Sequence, residues 1–246
     1  MSTLVLMVIA HRGASSYAPE NTFAAFDLAL KMGVHHIELD VQLTSDDHIV
    51  VIHDDTVDRT TNGSGLVMSL TLATLRGLDA GSWFGAKFAG ECIPLFDEVL
   101  ARYKGRVHIH TEIKGHSPYL SQRTADLIRK HGMEEQVTIT SFQQAWLEEI
   151  SDYVPELSAG WLVVEVNDAI IEQARAMSLT QLCPRADTIT RELVDRLHAE
   201  GFVVRAWGVA TGELMRRVVK AGADGLTVNF PDKLIAYLER HKYQWE

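Results

Sequence analysis

A (β/α)8 TIM barrel with a small insertion after its second barrel strand is the fold class that the sequence predicts. Three observations predict it. Short apolar runs with the length and β-branched content of buried strands recur at 4–10, 34–41, 107–113, 137–141, 157–163, 178–182, 202–207 and 225–228. Helical patterns lie between most of them, at 21–31, 96–104, 118–131, 143–151, 168–177, 190–200, 211–220 and 231–240, and such alternation builds a parallel sheet with helices outside it. Polar residues then stand where strands end: His11, Glu38 with Asp40, and Glu112 with Lys114, on the rim where barrels place their sites. A doubly wound open sheet is the alternative with the same alternation.

Taken in order, Leu4 to Ala10 is too short to span a bilayer, has no Lys or Arg before it and runs directly into His11, so it reads as the first core strand. Asn21 is the expected N-cap of the first helix, as are Thr190 and Thr211 for two later ones. Gly33, Gly132, Gly201 and Gly222 follow helical patterns and precede strands, where glycine closes a helix in the left-handed conformation. The interval 42–95 breaks the alternation. Its extended Ile49 to Ile52 is followed by Asp-, Thr- and Gly-rich sequence through Thr61-Asn62-Gly63-Ser64-Gly65, and the whole is too long for an ordinary βα loop. Trp83, Phe84, Phe88 and Leu95 are expected to give it a small core. The expectation is one catalytic barrel domain, 1–246, in which 42–95 is an insertion that caps the mouth and shapes the pocket.

The chain has 246 residues, 46% of them hydrophobic, enough for a core enclosing a closed sheet. Its 23 basic and 33 acidic residues give a formal charge of −10, and no long basic block is present to follow a nucleic-acid backbone. Nucleic acid is therefore not an expected partner. Cys92 and Cys183 form no short metal-ligand spacing and suit a reducing compartment. With neither a signal peptide nor a stable membrane anchor in view, the expected location is cytoplasmic. A homo-oligomer is left open.

Strand positions i and i+2 share a face, so Glu38 and Asp40 present two carboxylates together, and Glu112 and Lys114 an anion beside a cation. Carboxylates at the mouth of a core need a counter-ion, and this set suits a divalent metal holding a phosphate ester. Any one acid alone reads as a helix cap or a solvated loop residue. The apolar setting of Val34, Ile37 and Val41 argues otherwise for Glu38 and Asp40. A lone histidine is as readily a structural hydrogen-bonding group, and His35, His36, His108 and His110 are placed in that class. His110, facing the same way as Glu112, is also a candidate to support the metal from behind.

His11-Arg12-Gly13, Pro19-Glu20-Asn21-Thr22, Glu38-Leu39-Asp40-Val41, His53-Asp54, Arg59-Thr60-Thr61-Asn62-Gly63, Asp79-Ala80-Gly81-Ser82-Trp83-Phe84 and Glu112-Ile113-Lys114 follow one another along the chain. In content and order this series resembles the glycerophosphodiester phosphodiesterase family, over nearly the whole chain. The resemblance implies a barrel with an insertion after the second strand, one divalent metal ion, and hydrolysis of a small-molecule glycerophosphodiester to glycerol 3-phosphate and an alcohol. It implies Glu38, Asp40 and Glu112 as metal ligands, and their hard oxygens suit Mg²⁺ or Ca²⁺. It also implies His11 and His53 as the general acid/base pair, with the roles of the two open, and a cyclic glycerol phosphate intermediate.

Arg12 and Lys114 are the phosphate-holding candidates, the ordinary alternative being salt bridges to the acids. Glu20 is expected to orient the site. Phe142 and Trp207 are expected to wall the pocket, and the resemblance puts Trp207 against the glycerol side. Two departures stand out, Gly208 where the family usually has Thr and Asn229 where it usually has Asp. Two rival functions keep part of the pattern. A metal-dependent sugar-phosphate lyase or isomerase needs the acids but not both histidines, and a non-catalytic phosphometabolite-binding protein needs neither histidine.

Overall fold

The computed structural model describes residues 5–246, so Leu4 of the expected first strand lies outside the described residues. The first half of the chain forms β1 (Val5–His11), α1 (Phe23–Lys31), β2 (His36–Leu43), β3 (Ile49–Val51), α2 (Leu72–Arg76), α3 (Phe96–Tyr103), β4 (His108–Ile113) and α4 (Leu120–His131). The second half forms β5 (Val137–Ser141), α5 (Gln144–Tyr153), β6 (Ser158–Val163), α6 (Asp168–Ala176), β7 (Gln181–Pro184), α7 (Arg191–Ala199), β8 (Val203–Ala206), α8 (Gly212–Ala221), β9 (Gly225–Val228), α9 (Pro231–Arg240) and β10 (Gln244–Trp245). Among these, β1, β2, β4, β5, β6, β7, β8 and β9 pair in parallel in that order, and β1 pairing with both β2 and β9 closes the ring. The fold is a (β/α)8 barrel. β10 adds a short parallel rung beside the start of β1, with Val5 opposite Gln244.

Strand alternation sorts side chains between two cores. On β2, Ile37, Leu39 and Val41 join the apolar layer beneath the helices, as do Ile109 and Ile113 on β4, Ile139 on β5 and Leu226 and Val228 on β9. Burying each such side chain stabilises the fold by roughly 1.5–3 kcal/mol. The intervening residues point into the barrel, and many are polar: His36, Glu38, Asp40, His110, Glu112, Thr138, Thr140, Gln181, Arg205 and Thr227 are all buried. Apolar burial against the helices thus leaves the barrel interior free to carry chemistry.

The expected glycines close their helices with φ of +90° at Gly33, +59° at Gly132, +87° at Gly201 and +84° at Gly222. Thr190 and Thr211 cap α7 and α8 as expected, whereas α1 is capped by Thr22, whose hydroxyl accepts from the Ala25 N–H. Asn21 instead adopts a left-handed φ of +56°, which frees its amide to donate to Asp40. The strand expected at 178–182 starts later, because Ser178 turns the chain with φ +54° on leaving α6.

Between β2 and α3 the chain makes a hairpin to β3, antiparallel to β2, and continues through α2 and short single turns. This insertion has its own core, but an aliphatic one of Val50, Ile52, Val57, Val67, Leu75, Ala80 and Ile93, with Leu95 packed against it. The aromatics expected there lie at its surface. Trp83 is exposed and meets Phe84 edge-on, and Phe84 meets Phe88 in the same way. The tight loop they decorate is knotted by Asp79, which accepts from the backbone N–H groups of Gly81, Ser82 and Gly90. No helix among the described residues is long and apolar enough to cross a membrane.

Candidate active site

The loop after β1 places the first groups. Arg12 and Gly13 both take left-handed φ values, +56° and +80°, and the turn aims the Arg12 N–H at Glu38 Oε2, 3.0 Å away. Gly13 is needed as well for close approach, since a Cβ there would stand 2.6 Å from the Ala25 carbonyl carbon. His11, the last residue of β1, is held through Nδ1 by the side-chain oxygen of Asn229 at 2.6 Å. Its Nε2 lies 3.9 Å from Glu38 Oε2. Although 31% of its side chain remains exposed, the cleft walls desolvate the ring and Arg12 lies beside it, so its pKa falls to about 4.

Register sets the acids. Glu38 lies beside His11 across the β1–β2 ladder, and Asp40 lies beside Glu112 across β2–β4. One oxygen from each of Glu38, Asp40 and Glu112 falls within 4.8 Å of the others, and all three residues are buried. Burial and then the neighbouring Asp40 raise the carboxyl pKa of Glu112 to about 7, and burial with Asp40 and Glu112 raises that of Glu38 well above its usual range. Asp40 Oδ1 is buried without a hydrogen-bond partner. Three mutually repelling hard-oxygen donors, one of them orphaned, fit a hard divalent cation.

The cations nearby are partly committed to these acids. Arg12 Nε is 3.1 Å from Asp40 Oδ2, and one terminal nitrogen donates to Glu20 Oε1 at 2.9 Å. Lys114 Nζ donates to Glu112 Oε1 at 3.0 Å and lies 5.6 Å from the centre of the Phe142 ring. Glu20 joins Arg12 to Arg59, whose two terminal nitrogens both donate to it at 2.8 Å. Asn21 donates to Asp40 Oδ2 at 2.9 Å.

His53 comes from the insertion, just past β3. The Gln42 amide on β2 donates to the backbone carbonyls of His53 at 3.0 Å and Asp54 at 2.6 Å, fixing the segment to the barrel rim. His53 Nδ1 contacts Asp54 Oδ1 at 2.6 Å. Asp54 in turn accepts from Arg59 Nε at 2.6 Å, and Arg59 holds its pKa far below the ordinary carboxylate range. The sequence motifs contained Asp54, Arg59 and Asn229, but the contacts that make them matter run between distant segments.

One cavity of about 360 Å³ is lined from the first half of the chain by His11, Arg12, Glu38, His53, Glu112 and Lys114. Phe142, Leu162, Arg205, Trp207 and Asn229 line it from the second half. Phe142 and Trp207 meet edge-on with centroids 4.8 Å apart, and Trp207 Nε1 donates to the Val163 carbonyl at 3.0 Å. The structure therefore brings every site residue singled out in the sequence to this cavity or into contact with its lining. His110 does not reach it. Fully buried lower in the barrel, it contacts His36 at 3.3 Å. Arg205 was missed because an alternating Val-Arg-Ala-Trp run reads equally well as a strand with one residue in solvent.

Two imidazoles and a lysine over buried acids share one cleft of a (β/α)8 barrel, equipment suited to acid/base chemistry on a phosphate ester. Residues 11–233 match the Glycerophosphoryl diester phosphodiesterase family. The glycerophosphodiester phosphodiesterase of Caldanaerobacter subterraneus subsp. tengcongensis is 41% identical over 93% of this chain and 96% of its own length. That of Bacillus subtilis is 32% identical over 92% and 84%. A solved phosphodiesterase from Oleispira antarctica, in complex with the product sn-glycerol-3-phosphate, superposes with a TM-score of 0.89 at 28% identity, covering 96% of this chain and 97% of that one. The chain belongs to the glycerophosphodiester phosphodiesterase family, and it is an enzyme of that family.

Proposed function

We propose that the protein hydrolyses glycerophosphodiesters to glycerol 3-phosphate and an alcohol in two acid/base steps through a cyclic glycerol phosphate. The observation that carries the mechanism is the convergence of His11, His53, Glu38 and Glu112 on one cavity, with Asp40 completing the acid trio beside them. Glu38, Asp40 and Glu112 would hold one divalent ion, Mg²⁺ or Ca²⁺, which supplies positive charge to a phosphate oxygen.

The two histidines differ in their partners, and the difference supports a division of roles between them. His11 donates Nδ1–H to a neutral amide oxygen, leaving Nε2 with a free lone pair and the ring uncharged at neutral pH. It is the base that takes the proton of the glycerol 2-hydroxyl. His53 Nδ1 contacts the carboxylate of Asp54, which Arg59 keeps ionised, an anionic partner where His11 has a neutral one. It is the acid that protonates the leaving alcohol oxygen as the 2-oxygen closes on phosphorus. Lys114 faces the charge gathering on the phosphate. In the second step the roles reverse: His53 takes a proton from water, and His11 returns one to the 2-oxygen as the ring opens.

Arg12, engaged by Asp40 and Glu20, serves chiefly to hold the acids while its remaining donors face the phosphate. Glu20 positions both arginines. Trp207 and Phe142 pack on the substrate's carbon skeleton. The chain acts as one catalytic barrel in which 42–95 contributes His53 and shapes the pocket mouth. Its two free cysteines suit the reducing cytoplasm.

A phosphodiesterase assay with and without chelator tests the function, with metal-dependent release of glycerol 3-phosphate expected. No such release from any glycerophosphodiester would defeat it. A substrate whose glycerol 2-hydroxyl is replaced by hydrogen tests the route, because normal turnover excludes the cyclic intermediate.

A further inference from the structure

Among the described residues Arg205 is the largest fully buried side chain, 1% exposed, and it lines the active-site cavity. Its side-chain hydrogen bond goes to a neutral group, from one terminal nitrogen to the Thr227 hydroxyl at 2.9 Å. Its Nε is buried with no partner. Among the described residues no carboxylate oxygen lies within 4 Å of the guanidinium, whereas Arg12, Arg59 and Lys114 each have one. Glu38, in the same cavity, is near enough for Arg205 to act on its charge, but it makes no contact with the guanidinium and belongs to the acid trio. A buried charge with no contacting anion is costly, so this arginine is poised for one brought by a ligand.

Its position tells which part of a substrate reaches it. Arg205 and Trp207 are two residues apart on the same face of β8, with Arg205 one layer deeper. The neighbouring wall is apolar at Leu162 and Val209, and neutral at Thr227 and Asn229. A group that slides beneath Trp207 therefore finds hydrocarbon at its sides and one guanidinium at its end.

We propose that Arg205 is a specificity-determining residue that selects substrates carrying an anionic group, carboxylate or phosphate, at the far carbon of the glyceryl moiety. The inference rests on the glyceryl side of the diester entering beneath Trp207. A bidentate contact from the guanidinium would distinguish an anionic terminus from the plain hydroxymethyl of glycerol.

Calorimetric binding of three probes tests it: sn-glycerol 3-phosphate, 3-phosphoglycerate and glycerol 1,3-bisphosphate. The wild-type protein is expected to bind at least one of the two anionic-ended probes about tenfold or more tightly than glycerol 3-phosphate, the size of one charge-assisted contact. Which one shows the gain identifies the anion. Arg205→Met should erase the preference and Arg205→Lys keep part of it, with Arg205→Gln as the replacement if the methionine variant fails to fold. Equal binding of all three probes by the wild type, or a preference that survives loss of the guanidinium, overturns the proposal. Turnover of glycerophosphocholine by the same preparation separates the outcomes. If it is cleaved while the three probes bind equally, only the role of Arg205 falls; if it is not cleaved, the proposed function falls first.

Discussion

Burial beside Asp40 raises the Glu112 carboxyl to about 7, so near neutral pH a large share of the population carries a proton that a bound cation has to expel. Divalent-ion binding should therefore release protons below about pH 7 and cease to do so well above it, as carboxylates with raised pKa values become ionised beforehand. Calorimetry in two buffers of different ionisation heat measures the release. Glu112→Gln should weaken binding and leave only the share of Glu38. A buffer-independent heat at pH 6 would contradict the cluster. The histidines are separated by leaving group. His11→Ala and His53→Ala should each lower turnover of a choline-like ester by about 10²–10⁴-fold. On a nitrophenyl ester, whose leaving oxygen needs no proton, His53→Ala should recover and His11→Ala should not. The reverse pattern would exchange the roles drawn from Asn229 and Asp54.

Two elements, β2 and the insertion that follows it, share the burden of placing His53, and Gln42 is the tie between them. Gln42→Ala leaves two rim carbonyls without their donor, at a cost of about 1–3 kcal/mol if they stay buried. Its kinetic signature should be a kcat loss that shrinks on the nitrophenyl ester, as for His53→Ala, with a smaller change in KM. An equal loss on both esters would make Gln42 merely structural. What could be read from the sequence follows the range of the forces involved. The barrel strands, the C-terminal glycines and the two threonine caps are local consequences of alternation and backbone chemistry, and they stand where the residues put them. The acids were legible for the same reason, since spacing i, i+2 on one strand is geometry. The insertion's core is not the aromatic one its sequence suggests, because the short aliphatics Val50, Ile52 and Val57 fill it and leave Trp83, Phe84 and Phe88 outside. Asn229 on His11 and Arg205 in the cavity lining were out of reach, because their meaning depends on partners brought together only when the ring closes.

At the scale of the whole molecule, the lower barrel holds His36, His108 and His110 with ring centroids 5.0–5.5 Å apart, a cluster that the fold keeps uncharged. Burial lowers His36 and His108 to about 4 and His110 well below its ordinary value, with neighbouring rings adding to the effect for His108. Below pH 6.5 the unfolded chain takes up protons that the folded one refuses, so stability present above 6.5 is lost as pH falls towards 4. At 1.36 kcal/mol per unit, His36 and His108 can each account for at most about 3 kcal/mol. Urea midpoints at pH 7.5, 5.5 and 4.5 should fall in that window, and His108→Gln should flatten the fall by its own share; an unchanged slope would clear the cluster of this role. One further property follows from where the cavity lining lies along the chain. His11, Arg12, Glu38, His53, Glu112 and Lys114 all precede β5, whereas Phe142, Leu162, Arg205, Trp207 and Asn229 all follow its start. On the proposed roles, reaction and selectivity are therefore written in separate stretches of the gene. A crossover near the start of β5 would transmit the reactive half intact to a new wall, with the His11–Asn229 bond as the joint that must be inherited from both parents.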